Sequence, residues 1–192
     1  HLVGSSSTYP ARVSGYITDS AASATALATG VKSYNNAVGL DVNKKEVQTV
    51  LEWAKLQGKK TGVVVTSQIN HATPASYLAH NEHRYNYNEI ADSYIDDGIK
   101  ADLYLGGGWK YFIRDDRNLV NEFTKAGFHY IDSYDGLNHL PPNKPVLGLF
   151  ANSGLPWALD NVNDHKLATM TKSALTTLEN PKGLFLLVEG IK

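Results

Sequence analysis

The apolar residues of this chain come in short runs that do not alternate with polar ones: "KTGVVVTS" at 60–67, "VLGLF" at 146–150 and "GLFLLV" at 183–188. A strand with one wet face alternates; a strand covered on both faces does not. The segments between the runs carry the 3.6-residue apolar period of amphipathic helices. Parallel neighbours need long crossovers, and helices supply them. The expected fold is therefore α/β, a mainly parallel central sheet with helices on both faces. A length of 192 residues is enough for one substantial core. Proline and asparagine crowd residues 138–145, which could mark a boundary. The strand-helix rhythm resumes beyond it, so 1–192 is expected to belong to one domain.

Local signals place the elements. Asp19 or Thr18 can cap a helix from Ser20 to Thr29, and Gly30 sits where a left-handed C-terminal glycine belongs. A helix is predicted over Glu46–Gln57, with Val47, Val50, Leu51 and Ala54 on one face. Thr73 followed by Pro74 reads as a cap and first helical position, a helix that would also carry His80 and His83. Asn88 is the expected cap of "EIADSYID". Strands are expected in "ADLYLGGG" and "FHYID", and helices in "RNLVNEFTKAG" and Lys166–Leu178. The run Gly183–Val188 reads as a strand buried on both faces. The triple glycine at 106–108 lacks the G-x-x-x-x-G-K-[ST] spacing of a phosphate loop and reads as a tight strand exit.

Composition narrows the chemistry. A formal net charge of -1 gives no footing for broad binding to nucleic acid or anionic lipid. The absence of cysteine excludes disulfides, thiolate zinc sites and cysteine nucleophiles. No apolar run approaches the roughly 20 residues of a membrane helix. The chain opens on histidine rather than methionine and closes just after an apolar run, so a processed product or a piece of a longer chain is expected.

The most informative stretch is "YITDSAASATALATG" at 16–30. Read plainly, Asp19 caps a helix and Ser20 fills its first turn. The same geometry has a second use. A helix N-terminus offers unpaired N–H groups and a positive dipole end, which together attract phosphate. A serine there could attack phosphorus, given a base or metal to favour its alkoxide. The preceding "YITD" is not a G-x-S-x-G elbow, which argues against an esterase.

"YITDSAASATALATGVKSYNNAVGLD" resembles the nucleophile segment of the alkaline phosphatases, metal-dependent phosphomonoesterases. "VVVTSQINHATPASYLAHNEHR" and "GLFLLVEGIK" resemble that family too, in the right order. The resemblance implies that Ser20 becomes phosphoserine and that a zinc ion activates its oxygen. Asp19 would hold Arg84, whose planar fork suits two phosphate oxygens. Thr73 and Glu189 would bind magnesium, and hard oxygen donors suit that ion. His71 stands where many bacterial members have aspartate, and is expected to act near magnesium through water or by shaping the pocket. His80 and His83 are left as surface or packing residues, and His129, His139 and His165 show no metal-ligand spacing.

The resemblance further implies two zinc ions and one magnesium ion, small phosphate monoesters as substrates, a homodimer, and a periplasmic or extracellular setting. It also implies that this chain is about the first half of such an enzyme. A strand ending in a metal-binding aspartate would precede His1, and the remaining zinc ligands would follow Glu189. Two other readings stay open. A sulfatase or phosphodiesterase would use a similar scaffold, but "TDSAAS" suits it poorly. A non-catalytic relative could keep the fold as a binding module.

Overall fold

A computed structural model describes residues 4, 6–160 and 165–191. Expectations that fall on residues 1–3, 5, 161–164 and 192 lie outside the described residues. The elements run in the order α1 (Ser20–Thr29), α2 (Val50–Leu56), β1 (Lys60–Gln68), α3 (Ala72–Leu78), α4 (Tyr87–Asp96), β2 (Leu103–Gly107), α5 (Trp109–Phe112), α6 (Leu119–Lys125), β3 (His129–Ile131), β4 (Val146–Leu149), α7 (Lys166–Thr177) and β5 (Leu184–Glu189). The sheet order is β3-β4-β2-β1-β5, and every pairing is parallel. The expected fold class is the observed one.

The pleat sorts each strand's side chains between two apolar layers. Val63, Val65, Tyr104, Leu147 and Leu149 join the buried cluster that includes residues of α1 to α6. Val64, Leu103, Leu105 and Val146 point the other way, into a cluster with Met170, Ala174 and Leu178 of the α7 segment. Val63, Val64 and Val65 are all fully buried. Burying one such side chain stabilises by about 1.5–3 kcal/mol, so the unalternating run is what a two-sided cover demands.

Several boundaries differ from expectation, each for a local reason. α2 begins at Val50 rather than Glu46. Thr49 and Glu52 form a reciprocal capping box, with Thr49 N–H donating to Glu52 Oε2 at 2.8 Å. Glu46 instead bridges Leu40 in an antiparallel contact. α3 starts one residue before Thr73, with His71 as its N-cap. Pro74 still fits, because its missing N–H falls among the first-turn donors that have no intrahelical partner. α3 ends at Leu78, so His80 and His83 lie beyond it. Asn86, not Asn88, precedes α4.

The strand β5 is a correction of another kind. Its residues are half-buried and Val188 is 43% exposed, where burial on both faces was expected. Among the described residues it sits at the sheet edge and pairs with β1 alone. An apolar run reports hydrophobicity, not the number of strands beside it. The glycine-rich exit of β2 was read correctly: a Cβ on Gly107 would lie 1.6 Å from the Ser153 carbonyl oxygen. Gly108, at φ 126°, then turns the chain into α5, a short helix the sequence did not signal.

Asp102 ties the amino ends of β1 and β2 together. Its Oδ2 accepts from Thr61 N–H at 2.9 Å, and Lys55 and Lys60 reach Oδ1 at 2.7 and 3.3 Å. Burial alone would raise its pKa, but the Lys55 and Thr61 hydrogen bonds and the two lysine charges bring it below 3.8. A carboxylate depressed in this way stabilises above its unfolded value, and that contribution is lost as pH falls through the folded one. Asp102→Asn is expected to lower the unfolding free energy by about 2 kcal/mol near neutrality. Urea denaturation at stepped pH should show the deficit shrinking below pH 3.8; a deficit independent of pH would contradict the assignment.

Candidate active site

The candidate residues gather at the carboxyl ends of β1 and β5, where open parallel sheets place their ligands. Register sets the first part of this. Val65 of β1 lies opposite Glu189 of β5, so the last residue of β5 stands beside the outgoing end of β1. The chain leaves β1 through Asn70 and His71 into α3, which presents Thr73 in its first turn.

The small residues of α1 bring Ser20 alongside. Ala21, Ala24 and Ala28 are buried, and the Ser76 hydroxyl of α3 donates to the Ala21 carbonyl at 3.3 Å. Thr25 Oγ1 meets Ser76 Oγ at the same distance, 3.3 Å. Larger side chains would push α1 and α3 apart and carry Ser20 away from the β1 end.

Asp19 caps α1, accepting from Ala22 N–H at 2.9 Å. Its other oxygen accepts from Arg84 Nη1 at 3.1 Å, and the same nitrogen donates to Ser20 Oγ at 3.2 Å. Arg84 Nη2 lies 3.3 Å from His71 Nε2. Guanidinium only donates, so His71 Nε2 is the acceptor and its proton belongs on Nδ1. Burial first, and the Arg84 charge second, push the His71 pKa below 6.5, which agrees with a neutral ring. For Asp19, burial works upward but is outweighed by hydrogen bonds from Ala22, Arg84 and Asn36 and by the Arg84 charge, so its carboxylate stays ionised.

Glu189 is different. Burial raises its pKa, and the Thr73 hydrogen bond and Arg84 charge offset this only in part. Glu189 Oε2, His71 Nδ1 and Arg84 Nε are buried without a hydrogen-bond partner. Buried polar atoms are normally paired, so three unpaired ones around this cluster mark a place prepared for a polar guest. The donor set divides by chemistry. Thr73 and Glu189 offer the hard oxygens that fit magnesium. For zinc, Ser20 offers one oxygen, and among the described residues no group of three or more histidine, aspartate or glutamate side chains gathers to hold a metal ion.

The structure thus brings together Asp19, Ser20, His71 and Arg84 in one hydrogen-bonded group, with Glu189 beside Thr73. It also shows two residues the sequence reading passed over. Asn35 Oδ1 accepts from Asp19 N–H at 3.2 Å, and its amide nitrogen donates to the Ile17 carbonyl at 2.9 Å. The Asn36 carbonyl accepts from Arg84 N–H at 2.9 Å. Asn36 has φ 73°, a left-handed conformation that asparagine tolerates better than most residues. The Asn-Asn pair inside a turn-rich connector was the available signal. Of the two readings open for His80, surface or packing, the structure gives the second: its side chain is largely buried and hydrogen-bonded through both ring nitrogens.

Comparison with known proteins gives the family. The family model described as alkaline phosphatase matches residues 1–192. Alkaline phosphatase 4 of Bacillus subtilis is 54% identical over 196 residues, covering 99% of this chain and 42% of its own length. The cold-active alkaline phosphatase of a psychrophilic Shewanella species superposes with a TM-score of 0.91 at 50% identity, over 98% of this chain and 46% of that one. A histidine-to-aspartate variant of the TAB5 alkaline phosphatase, whose structure has magnesium bound in its M3 site, gives a TM-score of 0.82 at 29% identity, over 96% and 53%. The chain thus spans about half the length of the relatives it matches. Among the described residues no helix is long and apolar enough to cross a membrane.

The two duties of Asp19 separate by substitution. Asp19→Asn keeps an oxygen for the Ala22 N–H but gives up the Arg84 ion pair, so chemical denaturation should show a loss of about 1–2 kcal/mol. Asp19→Ala removes the cap as well as the carboxylate, and should cost about 1 kcal/mol more than Asp19→Asn. Equal losses for the two variants would contradict the capping role.

Proposed function

This chain belongs to the alkaline phosphatase family, and from that premise we propose that it carries the nucleophile and phosphate-binding part of a phosphomonoesterase. The observation that supports this most is the single Arg84 guanidinium, which touches the Asp19 carboxylate and the Ser20 hydroxyl at once. A group fixed beside the attacking oxygen can grip the phosphate that oxygen attacks.

In this reading a phosphate monoester places its oxygens on Arg84 and on the N-terminal turn of α1. Ser20 Oγ attacks in line, and its proton passes through water to the departing ester oxygen. The Ser20 O–P bond forms as the ester P–O bond breaks, and the alcohol leaves with a proton. Water then attacks phosphorus, one of its protons returns to Ser20 Oγ as the phosphoserine bond breaks, and inorganic phosphate departs. Arg84 stabilises the charge spread over the equatorial oxygens in both steps. Asp19 keeps the guanidinium aimed at Ser20 rather than at solvent. His71, neutral with its proton on Nδ1, accepts from Arg84 without adding a competing charge. When bound, two zinc ions would lower the cost of negative charge on the attacking and leaving oxygens, and magnesium, held partly by Thr73 and Glu189, would order the pocket.

The same proposal takes 1–192 as one part of a single catalytic domain. The first strand and the remaining zinc donors would come from family length that this chain does not span. It extends to a homodimer and to a periplasmic or extracellular setting, both supported by the family resemblance.

The test uses the full-length protein supplied with zinc and magnesium. Phosphate release from a simple monoester should be readily measured, and Ser20→Ala should lower kcat by about 10³-fold or more with unchanged circular dichroism. Arg84→Ala should raise both KM and the Ki of inorganic phosphate. Phosphate binding without turnover by the unaltered protein would favour a binding module instead. Turnover that survives in Ser20→Ala within about tenfold would remove Ser20 as nucleophile.

A further inference from the structure

His80 makes two contacts that together fix its charge. Nδ1 lies 2.7 Å from the Gly39 carbonyl oxygen, and Nε2 lies 3.0 Å from Glu52 Oε1. A carbonyl can only accept. Glu52 must also accept, because Oε1 takes a contact from Lys100 Nζ at 2.8 Å and Oε2 takes the Thr49 N–H at 2.8 Å. A ring whose two nitrogens both face acceptors must donate from both, and only the imidazolium does so. The side chain is 7% exposed, so water is a poor substitute partner.

What this cation holds leads to the phosphate site. Gly39 closes the connector from α1, and its N–H donates to Thr25 Oγ1 at 3.0 Å. A Cβ at Gly39 would come within 2.3 Å of the Ala79 carbonyl and 2.7 Å of His80 Nδ1, so the close approach needs glycine. One residue earlier, Val38 exchanges two backbone hydrogen bonds with Asn81, at 3.0 and 2.9 Å. Two residues earlier again, the Asn36 carbonyl accepts the Arg84 N–H, and Asn35 holds the Asp19 N–H. Residues 35–39 are thus laid against 81–84, and His80 clamps one end of that pairing to the first turn of α2.

The geometry points to His80, held as an imidazolium between Gly39 and Glu52, as the residue that positions Arg84 for phosphate. This rests on the reading of Arg84 as the phosphate-binding group. Other charges face the ring. Glu52 of α2 favours the cation and Lys100, before β2, opposes it; Glu46, Lys55 and Asp97 line the same cleft. Burial works against the charged ring, but the Glu52 and Gly39 hydrogen bonds outweigh it and raise the pKa above 6.5. The Glu52 carboxyl, which burial would raise, is brought down to about 2 by His80, Lys100 and Thr49. A raised histidine pKa contributes fully below the unfolded value and loses that contribution as pH rises through the folded one. Above it, the Nε2 lone pair would face a carboxylate, and the clamp would open.

Two measurements on the full-length, metal-supplied protein test this. In nitrogen-15 NMR of the unaltered protein at about pH 7, both ring nitrogens of His80 should carry protons; a singly protonated ring would overturn the proposal. His80→Gln carries both its donors on one nitrogen and cannot span the opposed Gly39 and Glu52 acceptors. It should raise the Ki of inorganic phosphate and the KM of a simple monoester together, each about tenfold, with kcat lowered by a smaller factor. The alkaline decline of phosphate affinity that follows His80 in the unaltered protein should be absent from the variant. A variant that folds and binds phosphate normally, or one that loses kcat alone, would overturn the proposal. If His80→Gln does not fold, the ring protonation decides. Failure of the unaltered protein to release phosphate from any monoester would count against the proposed function, and the NMR result would still be readable.

Discussion

The structure of the site depends on one guanidinium. Arg84 is 8% exposed, and such a cation is costly to bury unless its donors find acceptors. Asp19, Ser20 and His71 supply them. This couples three segments far apart in the chain: the start of α1, the entrance of α3 and the turn before α4. Asp19 is the pivot, because the same carboxylate caps α1 and pairs with Arg84. The helix cannot begin one residue later without also moving the arginine.

The sheet turns this local coupling into a site. Parallel order sends every strand's carboxyl end to one edge, so β1 and β5 deliver Thr73 and Glu189 to the place where α1 delivers Ser20. Alanines on α1 set how closely it meets α3, and the Asn35–Asn36 connector holds the backbones of Asp19 and Arg84. Buried atoms without partners on Arg84, His71 and Glu189 are then a property of the assembled edge rather than of any one element. A cluster that folds with polar atoms unpaired is poised to bind something that pairs them.

Much of this was legible in the sequence. The unalternating runs led to a parallel sheet, and Asp19, with Gly30 after Thr29, marked both ends of α1. What escaped depended on distant partners. Pattern could not reveal that, among the described residues, β5 pairs with β1 alone, or that the Thr49–Glu52 box would outcompete an earlier helix start. The grouping of Asp19, Ser20 and Arg84 came from family resemblance, since nothing local in "NEHR" distinguishes a solvent-facing arginine from a buried one. Which of the two open readings of His80, surface or packing, would apply was undecided for the same reason. Its partners Gly39 and Glu52 lie 41 and 28 residues away in the chain, and a lone histidine carries no sign of them.

The most direct test of the central claim is to find where the phosphoryl group goes. The full-length protein, loaded with zinc and magnesium, would be quenched with acid during turnover of a phosphate monoester and then digested for mass spectrometry. The account expects one added phosphoryl group, on the peptide that contains "TDSAAS" and on Ser20 within it. Phosphoryl found on another residue, or no covalent phosphoenzyme under rapid turnover, would contradict it.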